Sequence, residues 1–167
     1  MSMAIEIAVE CDEWARLDHL DALVGESLQT VLDETGERLR EGAEVSFLFG
    51  DDARIRELNR QFRGKDQPTN VLSFPGPEPL ESALFLGDIA LAFETIAREA
   101  REQDKTLQDH SRHMIVHGFL HLLGYDHEDD AEADEMEAAE IRVLRALGVE
   151  NPYRDDHESE IGINGRA

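Results

Sequence analysis

Apolar side chains alternate with polar or small ones over residues 4–10, where Ile5, Ile7 and Val9 share one face, and this period of two predicts a first strand. Leu17, Leu20, Leu23, Val24, Leu28, Val31 and Leu32 then recur at three- and four-residue spacing before Gly36, predicting a long amphipathic helix with a glycine stop. A second strand is predicted over 45–49. Gly50-Asp51-Asp52 follows as turn and N-cap, and Ile55, Leu58 and Phe62 mark the buried stripe of a second helix ending near Gly64. A third strand is predicted over 70–74, closed by Pro75-Gly76-Pro77, and a fourth over 84–91, interrupted by Gly87 and Asp88. From Phe93 to Leu147 only helical periodicity remains, in segments 93–103, 105–123 and 129–147.

The resulting order, βαβαββααα, predicts an α+β fold with α/β character: a mixed four-stranded sheet with helices packed on it. The two strand–helix–strand crossovers imply parallel pairing, and the third and fourth strands can form a hairpin. After Gly148 no apolar face repeats, so we expect one domain over 1–151 and a flexible tail over 152–167.

Composition narrows the function. The 167 residues are 41% apolar, enough for a core, with 38 acids against 16 bases and a formal net charge of −22. A field of that sign repels phosphates and lipid head groups, so any nucleic-acid contact must be local. Residues 1–15 carry Glu6, Glu10, Asp12 and Glu13 without a long apolar run, and no stretch approaches the ~18 apolar residues of a membrane span. The expectation is a cytoplasmic protein without membrane contact. The single cysteine, Cys11, leaves any metal to His, Asp or Glu.

Three of the seven histidines fall in eleven residues, His117-Gly118-Phe119-Leu120-His121-Leu122-Leu123-Gly124-Tyr125-Asp126-His127. On a helix His117 and His121 project from one face about 5 to 6 Å apart at Cβ, close enough to share an ion. Gly124 can take the left-handed conformation that ends the helix and lets His127 return as third ligand. Three neutral imidazoles leave an open fourth position, the pattern that lowers the pKa of bound water to about 7. Scattered histidines would give only about 0.01 such triplets by chance. A closed structural site would need a fourth ligand such as Asp126 or Glu128; His113, one turn before His117, is read as an interior or supporting histidine because four-residue steps drift around the helix by about 40°.

The spacing HxxxHxxGxxH is also that of the metzincin zinc peptidases, whose general-base glutamate follows the first histidine. Gly118 stands there instead, which makes peptide cleavage improbable. A phosphodiester demands less of a base, because charge building on phosphoryl oxygens can be met by metal and guanidinium. Arg54, Arg56, Arg60, Arg63 and Lys65 concentrate five of the sixteen bases in twelve residues. Most read as a solvated helix face, whereas Arg63, at the helix end before a Gly-Lys-Asp-Gln-Pro-Thr loop, is placed to reach a ligand.

Leu58-Asn59, the run from Phe62 through Arg63-Gly64-Lys65-Asp66-Gln67-Pro68-Thr69-Asn70 to Pro75, Leu86-Gly87-Asp88-Ile89 and the histidine segment together closely resemble the bacterial YbeY family over residues 45 to 153. The motif HGxLHLxGYDH is highly specific; Phe62 stands where tyrosine is common, and Phe119 fills a variable slot. The resemblance implies a single-domain zinc-dependent endoribonuclease for single-stranded RNA, acting in 16S rRNA 3′-end maturation and ribosome quality control. It implies that His117, His121 and His127 hold the zinc, that Arg63 is the functional arginine, and that the small ribosomal subunit, ribosomal proteins or an assembly GTPase are partners, with no DNA. Imidazole ligands also admit nickel, iron or copper by affinity. Two other readings stay open: a non-catalytic ribosome-assembly factor whose zinc holds the last two helices together, and a metal hydrolase of another ester or amide. The nine acids and no bases from Asp126 to Glu140 are expected to face away from RNA or toward basic ribosomal proteins.

Overall fold

The computed structural model describes residues 3–153, so 154–167 of the expected tail lie outside the described residues. Strands β1 (Met3–Val9) and β2 (Ala43–Gly50) are joined by helix α1 (Leu20–Thr35), and α2 (Asp52–Arg63) leads to β3 (Val71–Pro75) and β4 (Phe85–Ala92). Three helices close the described chain: α3 (Phe93–Glu102), α4 (Leu107–Leu122) and α5 (Asp130–Ala146). This is the expected order. A 3-10 turn at Asp12–Arg16, which the sequence did not suggest, precedes α1. It buries Trp14, whose indole N–H donates to Gly50 O at 3.0 Å and whose ring meets Phe49 and Phe93 edge-on. Leu17, expected in the helix, is buried in the connection before it, because α1 begins only after His19 at φ 54°.

The strands lie in the order β1-β2-β4-β3, with β1–β2 and β2–β4 parallel and β3–β4 antiparallel. The hairpin and the first crossover are as expected. The second crossover is not: β2 and β3 do not pair, because β4 inserts between them. Burial explains the insertion. In β4, Ile89 and Leu91 pack on one face and Ala90 and Ala92 on the other, which requires a central position. The five-residue β3 ends in Pro75 and suits an edge.

The main core lies between one sheet face and α1, α4 and α5, and includes Leu28, Val31, Phe47, Phe49, Ile89, Ile115, Phe119 and Val143. The α1 stripe read from the sequence, Leu23, Val24, Leu28, Val31 and Leu32, is buried throughout. On the other face α2 covers a small cluster of Ile55, Leu72, Ala90 and Ala92. Phe62, expected on that buried stripe, is 62% exposed. It sits at the last turn of α2 and meets Phe74 of β3 edge-on at 5.6 Å, leaving the rest of its ring to solvent. No helix among the described residues is long and apolar enough to cross a membrane.

Candidate metal centre

Helix α4 is the central helix, buried along most of its length and started by Thr106, whose hydroxyl accepts from Asp109 N at 3.0 Å. His117 and His121 leave its half-buried side one turn apart, with ring centroids 4.8 Å apart. Gly124 has φ +101° and nothing near its missing Cβ, so it is required for conformation and not for space. The turn brings the exposed His127 back, 5.0 Å from His121 and 6.0 Å from His117 between ring centroids. One ring nitrogen from each histidine lies within 4.8 Å of the others. Among the described residues no carboxylate joins this group.

The donor set fits a divalent ion. Burial, with the neighbouring His117 and His127, pushes the His121 pKa down to about 4, so this imidazole is neutral and available near pH 7. His117 is oriented from behind: Glu140 of α5 accepts from its Nδ1 at 3.2 Å, leaving Nε2 for a metal. Glu140 is 1% exposed and also accepts from His113 Nε2 at 2.5 Å and from the Tyr153 hydroxyl at 2.8 Å. Burial alone would raise its pKa, but the hydrogen bonds and charge of His113 and His117 take it down to about 2. The buried carboxylate therefore stays ionised with three donors. Burial, and then the adjacent Glu140, raise the pKa of Tyr153, keeping that hydroxyl a donor.

Gly118 has a steric reason. A Cβ there would lie 2.9 Å from Ile89 Cγ2 and 3.2 Å from both Ser73 Oγ and Val71 Cγ2. Its carbonyl accepts from Ser73 Oγ at 2.9 Å, so α4 and the β3 edge are in direct contact at the residue after the first histidine. The glutamate that a metzincin carries at this position has no room.

Arg63, the last residue of α2, donates from one terminal nitrogen to Ser73 O at 2.7 Å, and its guanidinium lies 5.3 Å above the Phe74 ring. It lines the same 560 Å³ cavity as His117, His121 and His127. The structure thus brings together all four residues singled out in the sequence. Two other arginines of α2 are used elsewhere: Arg54 pairs with Glu10 and Glu57, and Arg56 is bidentate to Asp66. Asn59, buried in α2, donates to Gln67 O and fixes the loop after Arg63. Asp126 and Glu128 line the cavity, with Asp126 accepting from His127 N. His113 lies behind His117, as the helical drift predicts.

The sequence reading missed Glu140 and Tyr153. Glu140 did carry a signal: within an acidic run it falls among the inward-facing Met136, Ala139, Val143 and Leu144. A carboxylate on the core face of a helix needs buried donors. Tyr153 had no comparable signal, because it stands in a stretch without periodicity.

Comparison with known proteins bears on this geometry. The sequence profile of the family described as Endoribonuclease YbeY matches residues 8–148. Endoribonuclease YbeY of Azorhizobium caulinodans is 48% identical over 153 residues, 90% of this chain and 96% of that one. Its counterpart in Methylocella silvestris is 46% identical over 155 residues, 93% of this chain and 88% of that one. The solution structure of TM1509 from Thermotoga maritima superposes with a TM-score of 0.58 at 26% identity, covering 99% of this chain and 100% of that one.

Proposed function

This chain belongs to the Endoribonuclease YbeY family, and from that premise we propose that it hydrolyses RNA phosphodiesters internally, within single strands, at the three-histidine cluster. The ion is zinc, held by His117, His121 and His127, and the substrate is 16S rRNA on the small ribosomal subunit, cut in 3′-end maturation and ribosome quality control. The activity resides in one domain over 1–151. The observation that supports this reading best is the presence of Arg63 in the cavity of the three histidines.

A divalent ion bound there supplies Lewis acidity toward phosphoryl oxygens and acidifies water. The chain's own residues do the rest. Arg63, anchored by one N–H to Ser73 O, presents its other guanidinium donors to a phosphate and stabilises charge developing on its oxygens. Glu140 holds His117 in one tautomer and one orientation. Asp126 and Glu128 line the cavity where a proton leaves. A local cation in a −22 chain confines phosphate binding to this cavity.

The reading of the zinc as a clamp between the last two helices is less well supported. All three histidines lie on α4 and the loop after it, and none on α5. Glu140 of α5 instead bonds His113 and His117 of α4, and Phe119, Leu120, Val143 and Leu144 from the two helices lie in the same core at 0% exposure, each contributing about 1.5–3 kcal/mol by burial. The test is cleavage of a labelled single-stranded RNA and its duplex by metal-replete and chelated protein, with the helices followed by circular dichroism. Single-strand cleavage lost on chelation while the helices persist is the expected result. Folded, metal-replete protein that leaves the RNA intact overturns the reading.

A further inference from the structure

We propose that Ser73 is a positioning residue for the reaction: it fixes where the Arg63 guanidinium stands relative to the three-histidine cluster. The inference rests on the RNA-hydrolysing reading above.

The two halves of the site ride on different parts of the fold. His117, His121 and His127 belong to α4 and the turn after it, whereas Arg63 ends α2 and is bonded to β3. Helix α2 covers the sheet face opposite the one that α4 packs on. The arginine and the histidines are therefore held in register where β3 meets α4, and Ser73 stands at that place. Alternation along the strand turns Leu72 and Phe74 toward the α2 face and Ser73 toward α4.

Ser73 bears on the site through two groups. Because β3 is an edge strand, the Ser73 carbonyl takes its hydrogen bond from Arg63, at 2.7 Å, and not from a further strand. The hydroxyl, on a residue only 8% exposed, donates to Gly118 O at 2.9 Å. One residue thus links the guanidinium to the backbone beside the first histidine. Among the described residues no other side-chain hydrogen bond runs from α2 or β3 to α4. Gly118 lets the strand come close, and the directional bond from Ser73 fixes where along the helix it sits. The Phe74 ring, 5.3 Å from the guanidinium, then carries Arg63 wherever β3 goes. A misplacement of about 1 Å at such a group can cost on the order of 100-fold in rate.

The experiment is a double-mutant cycle on metal-loaded protein that pairs Ser73→Ala with Arg63→Ala. It is read twice, as affinity for inorganic phosphate and as kcat/KM on a labelled single-stranded RNA. Ser73→Ala is expected to weaken phosphate about fivefold when Arg63 is present and less than about 1.5-fold when it is already alanine. On RNA, kcat/KM is expected to fall about tenfold, again only while Arg63 is present. Ser73→Thr keeps the hydroxyl, suits a strand and is expected within about twofold of wild type in both readouts. Metal affinity is expected to stay within about twofold throughout, because all three ligands travel with α4 and its turn.

Equal losses in the two backgrounds make Ser73 a merely structural residue and overturn the positioning role. So do a threonine variant as weak as the alanine one, and a wild type that binds phosphate no better than Arg63→Ala. Coupled phosphate binding with RNA uncut supports the role and refutes the activity. Metal-dependent cleavage with uncoupled losses refutes the role and leaves the activity standing.

Discussion

Glu140 and His117 are 23 residues apart in sequence, yet the Glu140 carboxylate accepts from His117 Nδ1 at 3.2 Å, tying α5 to the first histidine of the cluster on α4. The same carboxylate serves His113 and Tyr153. In Glu140→Gln the charge is lost, and the amide N–H₂ meets groups that are themselves donors. Metal affinity is expected to fall about 10- to 100-fold, read by competition with a chromophoric chelator. Tyr153→Phe removes one of three donors and is expected to have a smaller effect. Thermal melts of the metal-free forms separate lost orientation from lost folding; an unchanged affinity in Glu140→Gln would remove the carboxylate from the site.

Among the described residues Arg63 is hydrogen-bonded from one terminal nitrogen, which makes its role separable from the fold. Arg63→Ala is expected to keep its metal content and melting temperature while RNA cleavage falls about 100-fold or more, the usual cost of removing a donor aimed at developing charge. Arg63→Lys is expected to recover little. An ammonium cannot hold the Ser73 carbonyl and a phosphoryl oxygen in the fork geometry of a guanidinium. Atomic absorption with steady-state kinetics distinguishes the outcomes, and an undiminished rate in the alanine variant would discard Arg63 as transition-state stabiliser.

That the four candidate residues would line one cavity was legible in the sequence because each depends on local chain geometry. His117 and His121 need only the helical repeat, His127 needs the turn at Gly124, and Arg63 needs the end of α2. What escaped the reading depends on distant pairing. Nothing within β2, α2 and β3 shows that β4 will insert between the strands, since that follows from burial on both faces of β4. Phe62 has the spacing of a buried residue but emerges where only Phe74 flanks it. Glu140 looks like one acid among nine until α4 supplies His113 and His117 as its donors.

Gly118 offers a stability test of the contact between α4 and the sheet edge. Gly118→Ala sets a methyl 2.9 Å from Ile89 Cγ2, and Ile89 is fully buried and cannot swing away. A loss of about 1–3 kcal/mol is expected from this overpacking, measured by urea unfolding of the metal-free protein. Because the strain enters one residue after His117, metal affinity should fall with it. A variant as stable as wild type would show that α4 can retreat from the sheet without cost.

His110 gives the protein an acid-sensitive element outside the metal cluster. Its side chain is 2% exposed, and burial lowers its pKa from 6.5, only partly countered by the hydrogen bond to Glu99, with His113 and Lys105 opposing protonation from the other side. The unfolded chain therefore takes up this proton first as pH falls. Stability is complete above about pH 6.5 and declines below it, by at most about 1.4 kcal/mol per pH unit for this one group. His121, held down to about 4, adds a loss of the same sign. The difference between wild type and His110→Gln isolates His110, because His121 is common to both and glutamine can still donate to Glu99. Metal-free wild type is expected to lose more stability than the variant between pH 6.5 and 5, with the two curves parallel above pH 7. Curves parallel across the whole range would mean that His110 carries the same proton affinity folded as unfolded, in contradiction to its burial.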